Sequence, residues 1–316
     1  MIDFRYHLVS LVSVFLALAV GIVLGAGPLK EPIGASLQSQ VDSLRTDRDD
    51  LRAKLDAAGG NIEKQNEFIT EAAPELTSGI LNDKTISIVT GPHADPEQVE
   101  AVVNRITEAG GTVAVDASFV ENTLSLADST EFLKTLRTLV PALPEDDATA
   151  IRSALVIALT GKASALPEGK ERDDAAKQAG ALFDAFVDAG RLRTDSDHAT
   201  SDLFLVVDNK NSQLAEQDKP TAEASEGQAK RTVITDFVNA LTTESKSVVA
   251  AGDAGSAQTG LISVLRTERS KASTVDGLSL GAGPVITVRA LAAGSAGGHG
   301  HYGFASNADT ILPKKE

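Results

Sequence analysis

The chain has 316 residues, about two domains' worth at ~150 residues each. Its net charge of −15 repels phosphate backbones and argues against nucleic acid as a partner. Cysteine is absent and the only methionine is Met1, which excludes disulfides, cysteine-ligated zinc, iron–sulfur clusters and a soft-sulfur relay for Cu(I). Aromatic content is 4% with no Trp, so aliphatic residues and alanine must fill the core.

The first element is an apolar run. Leu8 to Gly27 carries no charge, and at ~1.5 Å per residue such a helix reaches ~30 Å, one bilayer core. A cleaved signal peptide is the alternative, but its apolar region is shorter and Pro28 would follow the small-residue site. We expect a cytoplasmic head over 1–7 and an uncleaved transmembrane helix over 8–29. The short head and Arg5 favour the N-terminus inside and the bulk of the chain exported, in a periplasm-like space. Ser13, Ala17, Gly21 and Gly25 recur every four residues and line one helix face, where another helix can approach closely.

Pro28 and Pro32 are expected to break the helix beyond the membrane. A heptad pattern then covers 36–73. Its a and d positions include Leu37, Val41, Leu44, Arg48, Leu51, Leu55, Ile62 and Ile69, which reads as a coiled-coil stalk about 50 Å long. Charged residues such as Asp42, Asp47 and Arg52 lie between, and Gly59-Gly60 is expected to loosen the repeat. A lone amphipathic helix lying on the globular part is the alternative. Arg48 at an a position would face its equivalent in a homodimer, which hints at an acidic residue on a different partner, unless the side chain snorkels outward.

A globular α/β domain is expected over 80–293. Thr85–Thr90 reads as a buried strand and Gly91–Ala94 as a turn. Asp95 and Pro96 are an N-cap and first-turn proline for a helix to Ala109, and Thr112–Val115 is the next strand. This βαβ unit implies a parallel sheet. Helices follow over 130–140, 147–157 and 171–189, a strand over 203–207, a loop over 209–227 and a helix over 227–242. The last expected elements are a strand over 247–251 and helices over 261–268 and 284–293. The whole reads as a Rossmann- or flavodoxin-like three-layer α/β domain, with 294–316 as a glycine-rich irregular tail.

Ile2-Asp3-Phe4-Arg5-Tyr6-His7-Leu8-Val9-Ser10-Leu11, Ser273-Thr274-Val275-Asp276 and Gly300-His301-Tyr302-Gly303 resemble the MctB family, named for mycobacterial copper transport protein B. The resemblance implies a cell-envelope role. Its SteB-like corynebacterial branch implies a scaffold for cell separation with a SteA-type partner and a peptidoglycan hydrolase or activator. The family name implies copper transport or homeostasis instead.

Few residues suggest chemistry. His299 and His301 would point the same way in an extended segment and suit divalent copper, although two ligands are few for a specific site. The alternative is that His301 and Tyr302 pack onto the domain. Gly252–Gly255 lacks the dinucleotide-binding spacing and reads as a tight turn, and Thr160–Ala163 is not a P-loop. His93 follows the first strand, where a reactive residue is well placed, but no paired base is evident. The expectation is a non-enzymatic, single-pass protein without a resident cofactor, copper excepted. Its stalk pairs with another single-pass membrane protein or with itself, and cell separation is the leading role. Copper homeostasis is the alternative, and a cryptic enzyme at the Gly91 or Gly252 turn is the third reading.

Overall fold

Leu203–Val207 is buried at every position, as a strand covered on both faces must be. It lies at the centre of a seven-stranded sheet in the computed structural model, which describes residues 4–26, 30–209 and 222–314. The strands are β1 (Thr85–Thr90), β2 (Thr112–Phe119), β3 (Leu192–Thr194), β4 (Leu203–Val207), β5 (Ser247–Ala251), β6 (Ser273–Val275) and β7 (His301–Tyr302). Their spatial order is β3-β2-β1-β4-β5-β6-β7. All neighbours are parallel except β2 and β3. The order reverses between β1 and β4, and their carboxyl ends flank that point.

The chain divides into two compact units, 1–64 and 65–316. The first holds α1 (Phe4–Ala26) and most of α2 (Lys30–Thr77). The span within α1, Arg5–Gly25, is apolar and none of it is buried. One expectation about this region changes, the break at Pro32. The break expected at Pro28 lies outside the described residues. Pro32 falls in the first turn of α2, where its missing N–H has no intrahelical acceptor to lose. Gly59 and Gly60 do not interrupt the helix, because a glycine pair weakens a helix by only ~1 kcal/mol per residue and the long flanks propagate it.

In the second unit, alternate residues of each central strand serve opposite faces. Phe204, Val206, Val248 and Ala250 join one core with α4 (Thr130–Leu139), α5 (Asp147–Thr160), α7 (Ala179–Asp188) and α10 (Leu261–Thr267). The second half of α8 (Ala222–Glu244) joins the same core. Leu203, Leu205, Val207, Val249 and Ala251 join the other with α3 (Pro96–Glu108) and α11 (Ala282–Ser295). The remaining helices are α6 (Lys170–Lys177) and α9 (Ala254–Thr259). The predicted cap holds, with Asp95 accepting from the Glu97 amide at 2.9 Å. Asp146 caps α5 in the same way, accepting from the Thr149 amide at 2.9 Å. Gly161 closes α5 in a left-handed conformation, its amide 2.8 Å from the Ile157 carbonyl.

Several boundaries moved. The helix expected over 171–189 breaks at Gln178 into α6 and α7, because only α7 has a strongly buried face. The loop expected over 209–227 falls partly outside the described residues, and α8 already begins at Ala222. The tail expected to be irregular is built into the sheet. β7 pairs with β6, and Tyr302 bridges to Thr310. β3, β6 and β7 are two or three residues long, too short to show a period in sequence.

Phe186 is fully buried in α7 and meets Phe132 edge-on at 4.9 Å between ring centres. Phe186→Ala is expected to lower the unfolding free energy by about 3–5 kcal/mol, measured by urea denaturation.

Candidate functional site

The carboxyl ends of the parallel strands gather most of the polar chemistry of the second unit. At its β6–β7 edge lies a buried ion pair. Arg266 Nη2 is 2.8 Å from Asp276 Oδ2, and the two side chains are 3% and 0% exposed. Burying both charges is costly unless every donor and acceptor is met. Arg266 Nε donates to Thr274 Oγ1 at 2.9 Å, Nη1 to Asn307 Oδ1 at 2.6 Å and Nη2 to the Tyr302 carbonyl at 2.7 Å. Asp276 accepts from the Phe304 and Ala305 amides at 2.6 and 3.2 Å. Burial pulls the Arg266 guanidinium down from its ordinary value, and Asp276 opposes that shift.

This network explains two of the stretches that carry the family resemblance. Ser273–Asp276 and Gly300–Gly303 are adjacent in space, one forming β6 and the other β7. Gly303 has φ +130°, and a Cβ there would collide with the Asp276 carboxylate. Glycine is therefore required by the ion pair it covers.

His301 is only half available to a metal ion. It is partly buried, and its Nδ1 lies 3.1 Å from Thr274 Oγ1. That oxygen also accepts from Arg266 Nε, and the contact takes up one of the two ring nitrogens of His301. Burial lowers the His301 pKa, Asp309 opposes this, and Arg266 and His299 reinforce it. His299 is exposed. Among the described residues, no group of three or more His, Asp or Glu side chains is arranged to hold a metal ion. The His301 ring is thus held against β6 through Thr274, while His299 is not.

His93 lies at the same carboxyl end of the sheet, in the turn after the interior strand β1. Its Nδ1 is 3.7 Å from Oδ1 of Asp208, a side chain 1% exposed at the end of β4. The acidic neighbour missed in the sequence is therefore Asp208, 115 positions away and brought in by the β1–β4 pairing. A Cβ on Gly91 would collide with the Asp208 carboxylate, so the turn needs glycine for this approach. At the Gly252 turn, Asp253 caps α9 through the Ser256 amide at 2.8 Å, as the tight-turn reading expects. Gly161 and Lys162 end α5, and Lys162 pairs with Asp202.

On α1, Ser13, Ala17, Gly21 and Gly25 are all exposed, and nothing lies within 4 Å of a Cβ built on either glycine. On α2, Leu37, Val41, Leu44, Leu51, Leu55 and Ile62 are 41% to 72% exposed. Arg48 donates twice to Asp49 Oδ1, at 3.0 and 2.7 Å. Both side chains are more than half exposed, and such a surface pair contributes little. Ile69 is partly buried. The turn around it is part of the second unit, in which Asn66 Oδ1 accepts from the Gly281 amide at 3.1 Å.

These features define a mixed α/β protein with one N-terminal helix suited to membrane anchoring. The chain belongs to the MctB family: the profile described as "Copper transport outer membrane protein, MctB" matches residues 1–313. Proteins named "Copper transporter MctB" from Mycobacterium tuberculosis and Mycobacterium bovis are 28% identical to it, over 98% of this chain and 99% of theirs. The protein of that name from Mycobacterium leprae is 30% identical over 43% of each chain.

Arg266→Ala would leave Asp276 buried without its counter-charge, and we expect a loss of about 3–5 kcal/mol in urea denaturation. The lowered His301 pKa carries a pH signature. Between the folded value and the ordinary 6.5, the unfolded chain binds more protons, so stability falls as pH drops below about 6.5. His301→Gln should flatten that part of the curve when melting temperatures are compared from pH 7.5 to pH 5.

Proposed function

We propose that this chain is a membrane-anchored envelope protein of copper homeostasis. The observation that carries the reading is the family match along 1–313, with relatives named copper transporters over nearly the whole chain. The cell-separation scaffold expected from the sequence is set aside as the leading role, because the relatives above are named for copper and none for cell separation. Copper here is cargo, and the chain is not an enzyme.

A pore built by one copy is disfavoured on physical grounds. The second unit's sheet is open, with β3 and β7 at its edges and helices on both faces. A lipid-facing barrel needs closed strands with an apolar outer band. A single apolar helix encloses no channel. We therefore assign the chain a supporting part in copper handling, in which the conducting path belongs to an assembly. The exposed stripe from Leu37 to Ile62 supports a coiled coil as the assembly element, with the small-residue face of α1 beside it. Its partner is a second copy or another single-pass membrane protein. The parallel strands run β2-β1-β4-β5-β6-β7, which is the flavodoxin-like order 2-1-3-4-5 extended by one strand, and this supports a flavodoxin-like domain. We place the N-terminus in the cytoplasm and the α/β domain outside, on the strength of the short head.

With no cysteine and one methionine at position 1, direct contact with copper falls to nitrogen ligands and so to Cu(II). Exposed His299 is the primary ligand, and His301, with Nδ1 against Thr274, can add only Nε2. Host cells lacking the chain are expected to accumulate copper and to grow poorly in added copper salt, and the full chain should restore both. Leu44→Asp with Leu51→Asp should abolish the rescue, while His299→Ala should weaken Cu(II) binding, read by electron paramagnetic resonance, and leave rescue largely intact. Unchanged cellular copper on deletion would sink the reading.

A further inference from the structure

A cavity of about 400 Å³ opens at the carboxyl ends of β1 and β2. Its walls are apolar: Pro92, Phe119, Leu124, Leu126, Val233 and Ile234 line it, and His93 stands among them. The volume falls within the range of small-molecule sites, and open α/β sheets bind ligands at the carboxyl ends of their strands. The hydroxyls on the wall are already engaged. Thr123 Oγ1 accepts from the Val120 amide at 2.7 Å and donates to the Arg191 carbonyl at 2.6 Å, and Ser125 Oγ accepts from the Ala127 amide at 3.1 Å.

His93 is different. Its side chain is 30% exposed, and the Asp208 carboxylate lies 3.7 Å from Nδ1. That negative charge favours the tautomer with the proton on Nδ1, which leaves the Nε2 lone pair as an acceptor. Glu121 also lines the cavity. The apolar walls disfavour a charged or strongly hydrated ligand.

We propose that this cavity binds a neutral, largely apolar small molecule bearing one hydroxyl, such as a phenol, whose O–H donates to His93 Nε2. The site is separate from the His299–His301 segment and does not depend on the copper reading.

The probe is 4-ethylphenol, compared with 4-ethylanisole, which has nearly the same shape but no O–H to donate. The protein is the full chain in lipid nanodiscs with isotope-labelled histidine. It has five histidines, and His93→Phe assigns the relevant imidazole signal. Saturable movement of the His93 signal is expected with the phenol while the other four stay still. Binding of the anisole should be about tenfold weaker, the worth of one hydrogen bond. Leu126 is 52% exposed, so Leu126→Asp should fold normally and lose binding. No movement of the His93 signal, equal binding of the two probes, or a uniform shift of all five histidines would overturn the proposal.

Discussion

The buried Arg266–Asp276 pair is the constraint on which the carboxyl-terminal third of the α/β unit depends. Two charges at 3% and 0% exposure persist only because each hydrogen-bonding group finds a partner. Those partners come from β6, the Tyr302 carbonyl of β7 and the residues just beyond it. The pair thus determines where the last strand lies. It forces glycine at 303 and ties the His301 ring, through Thr274, into the same network. Two of the family's recognisable stretches therefore report a structural clamp before they report any chemistry.

The same clamp limits what the histidines can do. A ring whose Nδ1 is engaged with Thr274 Oγ1 has one nitrogen left. A chain without cysteine cannot answer with thiolates. On the proposed reading, copper handling is therefore a property of an assembly. The residues suited to assembly are exposed: a small-residue face on α1 and an apolar stripe on α2. Large apolar side chains left in water at this density mark a contact surface.

The predicted elements with strong local signals appear where expected. The apolar run became α1, the Asp95-Pro96 cap began α3, and Leu203–Val207 and Ser247–Ala251 became adjacent central strands. Elements without a period were missed. β3, β6 and β7 have two or three residues each and exist only because a neighbouring strand supplies their hydrogen bonds. The polar neighbour of His93 was missed for a related reason. Nothing between positions 93 and 208 links them until β1 and β4 pair.

By itself the sequence determined the class of the protein: an apolar anchor, a heptad helix and alternating α and β elements. It also carried the family resemblance, and the absence of sulfur ligands followed from composition. These are properties of local pattern, and short-range physics is enough to express them. Tertiary structure alone decided the strand order, the burial of Arg266 against Asp276, the tethering of His301 and the cavity beside His93. Each depends on residues far apart in the chain that meet only when the sheet closes its long-range pairings.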